Sequence, residues 1–326
     1  MTRIFIDGLE SGGLDQFTTQ SGCTVVSTSG LSMDGDYCLE ATGASDYVLK
    51  TVTETDDIYA AFLYRPTTVG SVCPISFWSG STLIASLRSS TAGAISINVG
   101  SSALASSSFA WTAGTTYLVE VYYLIADSGG RFTVKIKGIT LIDYTGDTLY
   151  STYTTLSGVR FGYAAVSTAT QGNAYFDNII LDDAAWIGST KIQGIALSGA
   201  GTTAQWTPSA GANYVCVDEV PASDADYVYT NTNDHLDTYA VADLSGTIGT
   251  IKAVQVQARV VKEGSATPQN IKMVLKSGST TDLSADIAVP TTAATVAAIW
   301  EADPDTSAAW ITAGVNASEI GIKSAA

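Results

Sequence analysis

A single histidine limits the acid–base chemistry open to this chain. His235 lies in Thr232-Asn233-Asp234-His235-Leu236-Asp237, between two acids. An imidazole so flanked would suit a general base or a metal ligand, but a site needs convergent partners and there is no second histidine to supply one. His235 is therefore read as a loop residue beside carboxylates. No Gly-x-Ser-x-Gly elbow occurs, so a Ser-His-Asp or Cys-His mechanism has only this imidazole to draw on. A glycosidase needs two placed carboxylates. The nearest spacing is Glu301-x-Asp303-x-Asp305, where Pro304 predicts a turn rather than a central strand. A second set of acids, Asp7, Glu10, Asp177, Asp182 and Asp183, would converge if the first and last strands of a sandwich were neighbours. Calcium takes about six to eight oxygen ligands, and no ligand-dense Asp-x-Asp-x-Asp loop is present. These acids are read as turn caps and backbone partners at strand ends. Trp78, Trp111, Trp186, Trp206, Trp300 and Trp310, with sixteen tyrosines, would furnish sugar-stacking platforms. In β-sandwiches such rings usually pack inside, and Trp111 sits at a strand entry where packing explains it. The expectation is that no residue is catalytic, cofactor-binding or metal-ligating.

The elements that would position these residues are strands. Tyr117, Val119, Val121, Tyr123 and Ile125 alternate with Glu120 and Tyr122, and Phe132, Val134 and Ile136 alternate with Arg131, Thr133, Lys135 and Lys137. Ser128-Gly129-Gly130 between the two runs predicts a hairpin. Lys137-Gly138 predicts a further turn into Ile139–Ile142, and Ile95, Ile97 and Val99 alternate in a Gly- and Ser-rich hairpin. Tyr175–Asp183 reads as the strand that closes a first domain. In the second half, Val254–Val260 and Ile271–Leu275 alternate and are expected to pair across a loop at Glu263–Pro268. One short helix is expected over Ser307–Ala313, capped by Asp305 or Thr306. Many short strands at near-regular spacing predict an all-β chain of two β-sandwiches, residues 1–183 and 184–326, the second opening at a turn over Ala184–Ser189.

Composition sets the outer limits. The chain has 326 residues, enough for two ordinary domains that each bury a core. Charged residues make up 14% and the net charge is −16. Residues 1–183 hold 17 acids and 8 bases, and residues 184–326 hold 14 and 7, so the acidity is no tail. The closest approach to a basic cluster is Arg131, Lys135 and Lys137, which argues against nucleic acid and anionic membranes as partners. Cys23, Cys38, Cys73 and Cys216 form no Cys-x-x-Cys pair and read as reduced core residues. The apolar stretch in Met1–Asp7 is too short for a signal peptide and no run reaches membrane-helix length, which predicts a cytosolic origin. The sparse charge and the Ser/Thr/Gly/Ala-rich runs at Ser101–Ser108 and Thr291–Ala298 predict close packing against neighbouring subunits.

Several segments resemble a concanavalin A-like, or laminin-G-like, jelly roll. Phe5-Ile6-Asp7-Gly8-Leu9-Glu10 is similar to that family's first strand and Asp57–Arg65 to its early core strand. Trp111–Val121 is similar to a strand with an aromatic entry, and Phe176–Asp182 to the last strand, which pairs beside the first. The second half resembles the segment that follows such a jelly roll in bacteriophage virion proteins. The matching pieces are Gln205–Tyr214, Val217–Pro221, Asp226–Val228, Asp237–Tyr239, Ile251–Val256 and Asp303–Trp310. The resemblance implies a non-enzymatic structural protein on the exterior of a phage head, as a decoration or spike, or on the tail. It would reside in the virion after assembly in the bacterial host cytoplasm. Expected partners are further copies of itself, with a trimer the expected state, other head or tail proteins and a host surface glycan, with no cofactor. The alternative is a carbohydrate-binding adhesin or receptor-binding module, a use the same fold also serves.

Overall fold

The computed structural model describes residues 3–31, 33–163, 172–264 and 268–326. The chain divides into two compact units, Met1–Ile192 and Gln193–Ala326. Almost every element is a strand, and the sandwich class expected from the alternating patterns is the one adopted.

In the first unit, alternation decides which side chains enter the core. Val119, Val121 and Tyr123 are fully buried, and Glu120 and Tyr122 point from the opposite face. Their strand, Tyr117–Leu124, pairs with Gly130–Ile136 in the expected hairpin, Val121 facing Val134. Lys137 and Gly138 both take positive φ, 52° and 78°, the type I′ geometry whose twist matches the strands it joins. The chain then returns as Ile139–Gly146.

One sheet runs in the order Ile139–Gly146, Gly130–Ile136, Tyr117–Leu124, Asp57–Pro66, Ala174–Asp182, Tyr37–Ala41, Thr24–Ser27, with Arg3–Asp7 also on Ala174–Asp182. The facing sheet runs Ser102–Ala110, Ala94–Val99, Thr82–Ser89, Ile75–Ser79, Leu156–Gly162, Tyr47–Thr55, Thr19–Ser21. Phe62, Phe176, Val121, Tyr123 and Phe132 from the first sheet pack against Ile75, Phe77, Leu87, Ile97 and Phe161 from the second. Across the interface Phe62 meets Phe161 edge-on with ring centroids 5.3 Å apart, and the Phe77 ring centroid lies 5.1 Å from that of Tyr123. This is the jelly-roll sandwich.

The last strand, Ala174–Asp182, has one edge shared by two partners. Its first half pairs with Tyr37–Ala41 and its second half with Arg3–Asp7. Beside that junction the pairing with Asp57–Pro66 on the other edge shifts between Asp177 and Ile180, and Asn178 takes φ 48°. The segment from Ala184 to Ile192, expected to open the second domain, instead packs on the outside of this sheet. Ile187 and Ile192 cover Ala61, Ile180 and Leu118, and the Gly188 N–H donates to Glu120 Oε1 at 2.8 Å.

In the second unit a sheet runs Leu197–Ala204, Leu236–Val241, Glu319–Ala325, Asn270–Ser277, Thr280–Leu283, with Ile287–Ala288 also on Asn270–Ser277. A ribbon of Val254–Val260 and Ala294–Trp300 contributes Val256 and Trp300 to a core with Ile271, Met273, Leu275, Trp310 and Ile322. Val254–Val260 therefore pairs with Ala294–Trp300 and not with Asn270–Ser277, because alternation fixes which side chains face inward but leaves the partner open. Residues 265–267 of the expected loop lie outside the described residues. The helix is Thr312–Asn316 and not Ser307–Ala313. Ser307 has φ 56° and donates its N–H to Asp303 O, while the Asp303 N–H donates to Ala308 O. That closed turn occupies the expected first helical turn, and Asp305 bonds Ser279 and Thr280 instead of capping.

Candidate functional site

The residues singled out by their chemistry do not assemble into a catalytic group. His235 Nδ1 stands 2.9 Å from Thr230 Oγ1, and the His235 carbonyl accepts from Trp206 Nε1 and the Ser324 N–H. Its neighbour Asp234 pairs with Lys323, and Asp237 is consumed by the backbone N–H groups of Gln205 and Trp206, by Asn213 and by the Tyr239 hydroxyl. Asp303 and Asp305 serve the turn already described. The four cysteines are free and buried, and burial pushes the thiols of Cys23, Cys38 and Cys73 up to about 12, which makes them poor nucleophiles.

The first and last strands are neighbours, as the fold requires, and Asp7, Asp177 and Asp182 come to lie along them. Each is committed to the backbone. Asp7 Oδ1 accepts from the Leu9 N–H at 2.7 Å. Asp177 accepts from the N–H groups of Asn178 and Asp34, and Asp182 Oδ1 accepts from those of Ala184 and Ala185. Asp182 Oδ2 also lies 3.3 Å from Arg3 Nε. Glu10 holds the N–H groups of Asp36 and Tyr37. Among the described residues no group of three or more His, Cys, Asp or Glu side chains is placed to hold a metal ion.

Trp111, Trp300 and Trp310 are core residues. Trp111 is packed edge-on by Tyr64, Phe109 and Tyr117. Trp186 lies against Tyr59 and under Lys135, on the closing segment. Trp78 is different. It belongs to the outward face of the seven-stranded sheet, where it is buried beside Cys73 and Leu83 among polar side chains.

The alternation that sends Ile75, Phe77, Ala85, Leu87, Ile95, Ile97, Val159 and Phe161 into the core sends their neighbours outward. Across four adjacent strands the register aligns Arg160, Ser76, Ser86 and Asn98 in one row. Arg88 stands opposite Ser96 in the next row, and Trp78 opposite Gly158 on the other side. Ser76 and Ser86 are 0% exposed although they point away from the core, because the buried Cys73, which packs on Trp78 and bonds both serines, and the longer residues beside them cover the row. Those residues are tied down. Trp78 Nε1 donates to Ser76 Oγ at 2.9 Å and Arg88 Nε to Ser86 Oγ at 2.8 Å. Arg88 Nη2 donates to the Gly100 carbonyl at 2.8 Å, and Ser96 Oγ to Asn98 Oδ1 at 3.0 Å. The Arg160 guanidinium lies over the Trp78 ring, 3.5 Å from its centroid, and over the Tyr47 ring at 4.1 Å. At the end near the Thr82 turn, the Tyr153 hydroxyl meets Thr82 Oγ1 at 3.1 Å and Tyr150 lies nearly parallel to Tyr153. Gly100, with φ 56°, is needed there, since a Cβ would stand 2.2 Å from the Tyr150 ring.

Sequence reasoning took Trp78 only as one tryptophan among six and missed the rest of this face. The signal was present: Ile75-Ser76-Phe77-Trp78, Ala85-Ser86-Leu87-Arg88 and Ile95-Ser96-Ile97-Asn98 repeat an apolar-inward, polar-outward alternation.

No family model and no curated protein matches the chain. Solved structures do. The chain is similar to the cellulose-induced protein Cip1, at 16% identity over 57% of this chain and 100% of that one, with a TM-score of 0.46. It is similar to an endo-β-1,4-glucuronan lyase from the fungus Trichoderma reesei, at 14% identity over 56% of this chain and 96% of that one, with a TM-score of 0.44. A third is the alginate lyase Aly36B, at 18% identity over 56% of this chain and 93% of that one, with a TM-score of 0.38. Two of these three proteins are lyases by name, and none of the three is named as a phage protein. The expectation of a non-enzymatic bacteriophage structural protein finds no support in these comparisons and is withdrawn in both its parts, the phage assignment and the exclusion of an enzyme. The phage reading rested on the resemblance of short turn-rich segments in the second half, and fold-level likeness of that kind does not carry function. What these proteins act on is a property of theirs, and the likeness bears on fold alone.

Proposed function

We propose that the first unit binds carbohydrate on the outward face of its seven-stranded sheet. The observation that supports this reading is the row Arg160–Ser76–Ser86–Asn98 with its aromatic border. Sugars are recognised by aromatic planes that take their C–H faces and by fixed polar groups that take their hydroxyls. Here the part-exposed Tyr47 supplies an aromatic ring, Arg160 covers the ring of the buried Trp78, and Arg88, Ser96 and Asn98 supply donors and acceptors whose directions are set by hydrogen bonds within the face. Such groups lose little side-chain entropy on binding, since the sheet has already ordered them. Binding as an adhesin or receptor-binding module, and turnover of the bound sugar, would both use this face.

The test is a glycan-array screen of the full chain, followed by titration of any glycan retained. Tyr47→Ala is expected to weaken binding by roughly tenfold by removing one ring from the border, with little change in melting temperature. Full affinity in that variant, or retention of no glycan by the native chain, would count against the reading.

A further inference from the structure

Acids are distributed very unevenly over this strongly anionic protein. No Asp or Glu occurs between Asp57 and Glu120, nor between Asp147 and Asp177. The five strands Ser102–Ala110, Ala94–Val99, Thr82–Ser89, Ile75–Ser79 and Leu156–Gly162, adjacent in the sheet, contain no carboxylate and two arginines, Arg88 and Arg160. In a chain of net charge −16 a guanidinium ordinarily finds an acid, as Arg131 does in Asp143 and Arg259 in Asp224. Arg160 has none. It donates no hydrogen bond to any described residue, and its Nε is buried without an acceptor. Its positive form is disfavoured by burial and helped only by Tyr47. Two aromatic rings nonetheless hold it in place over the polar row.

A stacked guanidinium keeps its N–H bonds in the plane of the group, directed away from the rings. Only Nε of its nitrogens is both buried and unpartnered, so the terminal N–H groups, which bond no described residue, reach the surface. That edge matches a carboxylate in bidentate geometry, and the absence of acids nearby removes both competition for the edge and repulsion of an arriving anion. Resting on the carbohydrate reading of this face, we infer that its ligand is an acidic saccharide of the hexuronic acid type and that Arg160 binds the sugar carboxylate. Arg88, fixed by Ser86 and the Gly100 carbonyl one row away, adds to the field that favours an acidic chain over a neutral one.

The experiment titrates the full chain with a panel of hexuronic acid oligomers of differing linkage and with the same oligomers after carboxyl reduction, in parallel with R160Q and R160K. The native chain is expected to bind an acidic oligomer roughly tenfold to hundredfold more tightly than its reduced form, the range of a charge-assisted bidentate contact. R160Q is expected to erase that ratio while still binding the reduced oligomer. R160K, which keeps the charge and the stem but loses the fork, is expected to fall between the two, and it serves as the readout if R160Q does not fold. Equal binding of acidic and reduced oligomers by the native chain, or an unchanged ratio in both variants, would overturn the inference and leave the carbohydrate reading in place. Failure of the folded native chain to bind either form, or any glycan of the array, would overturn both.

Discussion

Asp7 and Asp177 show what single residues contribute here. Both carboxyls are buried in the first unit, and burial raises Asp7 to about 7 and Asp177 to about 8 from the ordinary 3.8. Hydrogen bonds from Leu9 and from Asn178 and Asp34 pull the other way and do not offset it. The folded state therefore holds these protons more tightly than the unfolded chain. Their contribution to stability is fully present below about pH 4 and is lost as pH rises through 7 and 8. Thermal melts across that range should show a fall in Tm that Asp177→Asn flattens, since the amide cannot ionise. A variant that keeps the native slope would contradict the assignment. Glu319 behaves in the opposite sense. Burial works against its charge, but bonds from Thr238, Thr202 and Lys276 bring it to about 2, so its contribution is present above the ordinary 4.5 and lost as pH falls through 2. None of this was legible in the sequence. Asp7 and Asp177 stood out there only as acids on neighbouring strands, and the burial of Asp177 depends on a closing strand whose register shifts beside it while three other strands pair along its edges.

Among the elements, the hairpin Tyr117–Leu124/Gly130–Ile136 and the closing strand Ala174–Asp182 were readable because their information is local: alternation, a Gly-rich turn and a strand-length run. The partner of Val254–Val260 was not, because pairing is chosen by contacts far apart in sequence. The binding face was missed for the same reason. Each strand showed its own alternation, but Arg160, Ser76, Ser86 and Asn98 become a row only once four strands are set in register. Two expectations follow at this scale. Phe161→Ala should destabilise the first unit by about 3–5 kcal/mol in chemical denaturation, the cost of a large cavity between Phe62 and the facing sheet. A fragment ending at Asp183 should melt below one ending at Ile192 and bind more hydrophobic dye, because Ala61, Ile180 and Leu118 lose their cover. Equal melting of the two fragments would mean that the closing segment contributes nothing to the first unit.

For the whole molecule, the all-β sandwich class was carried by pattern, and function was not. Composition pointed to a surface suited to partners, while the feature that distinguishes one region from another is where the acids are absent. A net charge of −16 averages that segregation away, although the gaps from Asp57 to Glu120 and from Asp147 to Asp177 are plain in the chain itself. The folded sheet turns those gaps into one carboxylate-free set of adjacent strands bearing Arg88 and Arg160. The most direct test of the account is amide hydrogen exchange on the full chain with and without a glycan retained from the array. Binding on the proposed face predicts added protection in Ile75–Ser79, Thr82–Ser89, Ala94–Val99 and Leu156–Gly162, with the second unit unchanged. Protection confined to the second unit, or to the opposite sheet of the first, would contradict it.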